Sequence, residues 1–134
     1  GSGIVTRRPL VLRLTNTPAT GGSEPVEYGE FTHLPGQRFY NFEDIMNEIS
    51  AETEKAVGPT KNVTKEPIFL QIWSPHVLNL TLVDLPGITK VSVQGQDPSV
   101  VKDIHDMVFE QVSKPSTLIL AIIQLTMTLP TQMP

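Results

Sequence analysis

Pro67-Ile68-Phe69-Leu70-Gln71-Ile72-Trp73, then Ser74-Pro75, then His76-Val77-Leu78-Asn79-Leu80-Thr81-Leu82-Val83-Asp84, then Leu85-Pro86-Gly87: this stretch decides the fold. Two apolar runs of similar length, separated by a short turn signal, predict two antiparallel strands joined as a hairpin. In the second run Leu78, Leu80 and Leu82 alternate with Val77, Asn79, Thr81 and Val83. One side is strongly apolar and the other mixed, which predicts a strand well inside a sheet. That strand ends on a carboxylate, Asp84, at the edge where open α/β sheets place their ligands.

Downstream, a polar loop rich in Gly and Gln leads to Asp97-Pro98, an acid suited to cap a helix with proline at its first position. Val101, Ile104, Met107, Val108 and Val112 space out an amphipathic helix, and Pro115 stops it. Thr117 to Ile123 predicts a buried apolar strand. Upstream, Pro9 to Leu14 predicts a first strand, and Thr15 to Glu27, with two prolines and Gly21-Gly22, a long loop. Tyr28 to Leu34 predicts a short edge strand closed by a Pro35-Gly36 turn. Phe42, Ile45, Met46 and Ile49 then fall on one helical face, with Asn41 as N-cap and Gly58-Pro59 beyond the end. That stripe reads as core packing. The order of elements predicts an α/β fold with a mostly parallel sheet.

Composition narrows the function classes. The 134 residues suit one small domain or part of a larger one. Twelve prolines and 18 % charged residues predict long loops between a few well-formed elements. A net charge of −4 without a basic block argues against a nucleic-acid partner. The absence of cysteine excludes a disulfide framework, a Cys-ligated zinc and a thiol nucleophile. The longest apolar run, Leu118 to Ile123, is far below the ~20 residues that span a bilayer, and no signal peptide opens the sequence. These features predict a cytoplasmic setting. The first residue is not Met, which reads as a processed chain or a fragment.

Two segments could carry chemistry. Asp84 and Gly87 form D-x-x-G, in which the carboxylate can hold Mg²⁺ and the glycine lets a backbone N–H approach a phosphate. By itself the tetrapeptide reads first as turn chemistry. Gly1-Ser2-Gly3-Ile4-Val5-Thr6-Arg7-Arg8-Pro9 is a small-residue loop with a Thr and two cations ahead of a strand. A Thr on such a loop can place its hydroxyl on Mg²⁺ and report whether a terminal phosphate is present. The other reading is a Gly-Ser cloning scar before a solvated basic turn. His33, His76 and His105 show no paired metal-ligand spacing. Asn62-Val63-Thr64 and Asn79-Leu80-Thr81 match glycosylation acceptors by chance, the second because Asn79 falls within a predicted strand.

Taken together, these segments resemble a known family over nearly the whole chain. The matching stretches are residues 1–12, Tyr28-Gly29-Glu30-Phe31, Glu48-Ile49-Ser50-Ala51-Glu52-Thr53, and Ser74 through Asp84-Leu85-Pro86-Gly87 to Val91. They are similar to the GTPase domain of dynamins and dynamin-related proteins. Leu14-Thr15-Asn16-Thr17 and the stretch from Glu66 to His76 look closer to the organelle-fission and vacuolar-sorting branch. The resemblance implies a P-loop NTPase fold of the Ras-like G-domain type, of which residues 1–134 would be the part from switch I through the strand after switch II. Thr6 would be the switch I threonine, touching Mg²⁺, the γ-phosphate and the attacking water. Asp84, Leu85, Pro86 and Gly87 would be the nucleotide-side switch II segment, with Asp84 toward the metal and Gly87 toward the phosphate. The carbonyls of Gly1 and Gly3 match positions that hold a monovalent cation, Na⁺ or K⁺. GTP and GDP would be the ligands, with self-association of G domains, microtubule binding and contact with organelle membranes through other segments of the parent protein.

The departures are as informative. No G-x-x-x-x-G-K-[ST] occurs in the 134 residues. Neither Thr60-Lys61-Asn62-Val63 nor Thr89-Lys90-Val91-Ser92 supplies the guanine-reading T-K-x-D. In the family's fold the strand before the P-loop lies between the Asp84 strand and the 117–123 strand. Its absence predicts a sheet without its middle, two unpaired edges, an uncovered apolar face and poor solubility. From residue 123 the sequence also leaves the family pattern. One set of legal codons for Gln124 to Pro134, its free third bases chosen to suit, gives Ala-Asn-Asp-Asp-Ile-Ala-Asn-Ser-Asp-Ala when read two bases later, which restores the pattern; the fixed positions, above all the two Met codons, test it. The tail at 123–134 thus reads as a one-base deletion near codon 123, or else as genuine divergence or an alternative exon.

Overall fold

A computed structural model describes residues 6–59, 62–88, 96–123 and 125. Gly1, Gly3, the loop at 89–95 and all of the tail beyond 123 except residue 125 lie outside the described residues. In chain order the elements are β1 (Leu10–Asn16), β2 (Tyr28–Phe31), β3 (Arg38–Phe39), α1 (Phe42–Val57), β4 (Ile68–Ser74), β5 (Leu80–Asp84) and α2 (Val100–Val112).

The five strands form one sheet in the order β3-β2-β4-β1-β5. The fold is α/β as expected, but the sheet is mixed. Among the described residues only β1 and β4 pair in parallel, whereas β1 with β5, β2 with β3 and β2 with β4 are antiparallel. The predicted hairpin does not form, because β1 lies between β4 and β5. Residues 75–79 carry the chain across the end of β1, a gap of about two strand spacings, or ~9.6 Å. Asn16 holds that crossing. Its Nδ2 donates to the carbonyls of Pro75 (3.1 Å) and Val77 (2.8 Å), and its backbone N–H to Asn79 Oδ1 (2.7 Å). Asn79 therefore stands in the crossing, just ahead of β5, and not inside a strand.

Helix α1 covers the other end of the sheet. Asn41 caps it from an extended backbone, accepting the Asp44 N–H at 2.8 Å. Gly58, at φ 65°, closes it by donating to the Glu54 carbonyl at 2.8 Å. Ile45 and Ile49 pack with Phe31, Phe39, Ile68 and Leu70 into the main core. The approach is close enough that a Cβ on Gly29 would stand 3.1 Å from Ile45 Cδ1. Phe42 and Met46, expected on the same buried stripe, are 75 % and 43 % exposed, because the helix turns only its Ile45–Ile49 side to the sheet.

Three further expectations change. The strand at Tyr28 is internal, and Arg38–Phe39 forms the edge beside it. Helix α2 starts at Val100, since Asp97 spends its carboxylate on the Ser99 N–H (2.9 Å) and its carbonyl on the Val100 N–H (3.0 Å) in a turn ahead of the helix. Val100, Ile104 and Met107 pack with Val63 and Val108 as a second, smaller cluster. Residues 117–123 form no strand and Leu118 is 97 % exposed, because a strand must pair and nothing among the described residues pairs with them. The same holds for the outer edge of β5, every residue of which is exposed, so β5 is not the interior strand its alternation suggested.

Candidate functional site

The antiparallel register sets Asp84 opposite Leu10, which brings the last residue of β5 beside the chain that enters β1. Four residues before Leu10, Thr6 turns back to the same point and its Oγ1 donates to Asp84 Oδ2 at 3.2 Å. The two residues are 78 positions apart in sequence. The pairing of Thr6 with the D-x-x-G aspartate thus follows from sheet topology. Thr6 is partly buried and Asp84 exposed, and both offer hard oxygen donors, the set that suits Mg²⁺.

Beyond Asp84 the chain leaves the sheet. Pro86 is fully buried and anchors the turn, while Gly87 is exposed. A Cβ on Gly87 would meet no atom of the described residues within 4 Å, and its φ is not positive. Neither packing nor backbone conformation within the chain demands glycine there. Gly1 and Gly3, the expected carbonyl donors to a monovalent cation, lie outside the described residues.

Arg7 and Arg8 are not on a solvated turn. Their side chains are 17 % and 14 % exposed. Arg7 pairs with Glu54 and donates to the Gly58 carbonyl at 3.2 Å. Arg8 donates from Nε to the Glu66 carbonyl at 2.7 Å and from Nη1 to the Glu52 carbonyl at 2.9 Å. Sequence patterning misses this, because the partners are carbonyls at the end of α1 and ahead of β4, which no spacing rule connects to residues 7 and 8. One signal was present: the Glu48–Thr53 stretch belongs to the same resemblance as the Arg-Arg pair.

Glu52 joins a second group. His33 Nε2 lies 2.8 Å from Glu48 Oε1 and 3.8 Å from Glu52 Oε1. Histidine spacing alone did not reveal this cluster, whose three ligand atoms lie within 4.8 Å of one another. The Glu52 carboxylate already faces two cations, Lys55 and Arg8. Lys55's hydrogen bond holds the Glu52 carboxyl below its ordinary value; burial opposes it, and the charges of His33, Lys55 and Arg8 add to the lowering. The group is an ion-pair network tying the turn after β2 and the chain after Thr6 to α1.

A sequence model of the dynamin family matches residues 1–132. The chain is 55 % identical to dynamin-related protein 12A of Glycine max over 122 residues, covering 91 % of this chain and 19 % of that protein. It is 48 % identical to vacuolar protein sorting-associated protein 1 of Schizosaccharomyces pombe over 136 residues, covering 91 % and 20 %. With dynamin-1 of Rattus norvegicus the identity is 51 % over 122 residues, covering 91 % and 13 %. The chain thus spans about a fifth or less of the length of these relatives, and it is a member of the dynamin family.

Proposed function

We propose that this chain is the switch-bearing part of a dynamin-type GTPase domain, and that its parent hydrolyses GTP to drive membrane remodelling. The observation that carries the reading is the Thr6–Asp84 contact at 3.2 Å, built from segments 78 positions apart that the neighbouring strands β1 and β5 bring together at the carboxyl end of β5. Thr6 and Asp84 would hold Mg²⁺, which when bound neutralises charge on the β- and γ-phosphate oxygens. Thr6 orients the attacking water. The Gly87 N–H donates toward the γ-phosphate side, where no side chain obstructs it, and Leu85-Pro86 sets the turn that aims it. The carbonyls of Gly1 and Gly3 would hold Na⁺ or K⁺ beside the developing charge, an assignment that rests on family resemblance. GTP and GDP are the ligands in this reading. Self-association of G domains, a cytoplasmic location at organelle membranes, lipid contact and microtubule binding belong to the parent protein. The tail at 123–134 is read as a shifted frame, and sequencing the transcript across codon 123 decides it: an unbroken frame there removes this explanation.

A second reading is favoured by the absence of G-x-x-x-x-G-K-[ST] and T-K-x-D from the 134 residues. In it, the polypeptide by itself is non-enzymatic and acts, where it acts at all, by binding full-length partners. One experiment addresses both. The 134-residue chain is compared with a chimera in which it replaces its matching segment in dynamin-related protein 12A. Expected are no saturable GTP binding by the chain alone and Mg²⁺-dependent hydrolysis by the chimera, lowered at least ~100-fold by Thr6→Ala. Micromolar GTP affinity of the chain alone would sink the inactivity claim. A chimera equally active with Thr6→Ala and Asp84→Asn would sink the site.

A further inference from the structure

Arg8 is two residues from Thr6 and is held at three points. Its guanidinium bonds the carbonyls of Glu66 (2.7 Å) and Glu52 (2.9 Å), and Nη1 lies 3.7 Å from Glu52 Oε2. The backbone on either side of it is fixed as well. The Arg7 carbonyl accepts the Thr64 N–H at 3.0 Å and the Pro9 carbonyl accepts the Ile68 N–H at 2.8 Å, which extends the β1–β4 alignment back toward Thr6. Glu52 belongs to α1, and α1 is seated on the sheet at Gly29. A planar fork of donors can satisfy two carbonyls and a carboxylate at once; a lysine ammonium cannot reproduce that geometry. Arg7 differs. Its carboxylate partner Glu54 is 55 % exposed, the setting in which ion pairs contribute little.

We propose that Arg8 is a positioning residue for Thr6. Clamped between the last turns of α1 and the entrance to β4, it fixes the pivot from which Thr6 reaches Asp84, and Glu52 keeps its guanidinium in place. Two residues span at most ~7 Å, so Thr6 stays within reach of Asp84 only while that pivot holds. The proposal rests on the reading of Thr6 as the switch residue, and its test separates the two.

On the full 134-residue chain, trypsin cleavage of the Arg7–Arg8 bond is followed in the unsubstituted protein and in Glu52→Gln, which leaves the scissile sequence unchanged. Expected is several-fold faster cleavage at that bond in Glu52→Gln, with cleavage after Lys102 unaltered. Equal rates overturn the clamp, whatever nucleotide chemistry the chain supports. In the chimera, Arg8→Ala is expected to lower kcat roughly tenfold with KM for GTP within about twofold. Arg8→Lys recovers part of the loss, and Glu54→Gln changes neither constant. An Arg8→Ala effect confined to KM, or none, overturns the positioning role. A chimera that hydrolyses no GTP overturns the function reading instead, and the trypsin result then decides the clamp alone.

Discussion

The two ends of the sheet differ in kind. At the β3-β2-β4 end, Phe31, Ile68 and Leu70 are buried beneath α1 and the capped helix closes over Gly29. At the β5 end, Leu80, Leu82 and Val83 are 48 %, 44 % and 40 % exposed although their sequence is just as apolar. Hydrophobicity is similar and burial is not. What separates them is a covering layer: α1 supplies one for β2 and β4, and none is present over β5 among the described residues.

A matched pair of truncations should separate the two ends most strongly. Phe31 is 0 % exposed in the main core, so Phe31→Ala should destabilise the chain by about 3–5 kcal/mol. Leu82→Ala at the open end should stay within about 1 kcal/mol. Urea unfolding followed by Trp73 fluorescence measures both. Similar losses for the two would mean that β5 is covered in solution and that the contrast is not a property of the folded chain.

A smaller effect tests how the ends are joined. Asn16 is the side chain that carries the connection over β1 by two bonds from its amide, to the Pro75 and Val77 carbonyls. Asn16→Ala should cost about 1–2 kcal/mol and loosen residues 75–84 while leaving the α1 end protected. Amide exchange resolves the two halves. Uniform loss of protection across both would refute the idea that the crossing is a separate, local fastening.

Much of the protected end was readable from sequence. Asn41, the Ile45–Ile49 face and Gly58 gave α1 its limits, because capping and helical period act over a few residues. The Asp84 turn and the Thr6 segment were likewise visible as motifs. The order of strands was not, since a turn signal such as Ser74-Pro75 states that the chain reverses and is silent about what lies between the two runs. Asn16 decides that, from 59 residues away in its bond to Pro75. Phe42 and β5 fail for the same reason: an apolar pattern marks a face that could be buried, and only a neighbour buries it. The roles of Arg7 and Arg8 were misjudged because charge in a short basic run reads as solvated until backbone carbonyls are brought to it.

The smallest effect lies in acid, on the α1 side. The Glu52 carboxyl is held below its ordinary value first by the Lys55 hydrogen bond, opposed by burial and aided by the charges of His33, Lys55 and Arg8. A carboxyl lowered by folding stabilises the folded state fully above its unfolded value, roughly 4.3, and that contribution is lost as pH falls through the lower folded value. The gap in urea midpoint between the unsubstituted chain and Glu52→Gln should therefore be widest near pH 7 and close below about pH 4. A gap independent of pH would show that Glu52 acts by shape or hydrogen bonding alone. Lys55 is 70 % exposed, so that part of the gap should also narrow with added salt, whereas the share from the half-buried Arg8 contact should persist. Salt thus divides the surface pair from the clamp that holds the chain after Thr6.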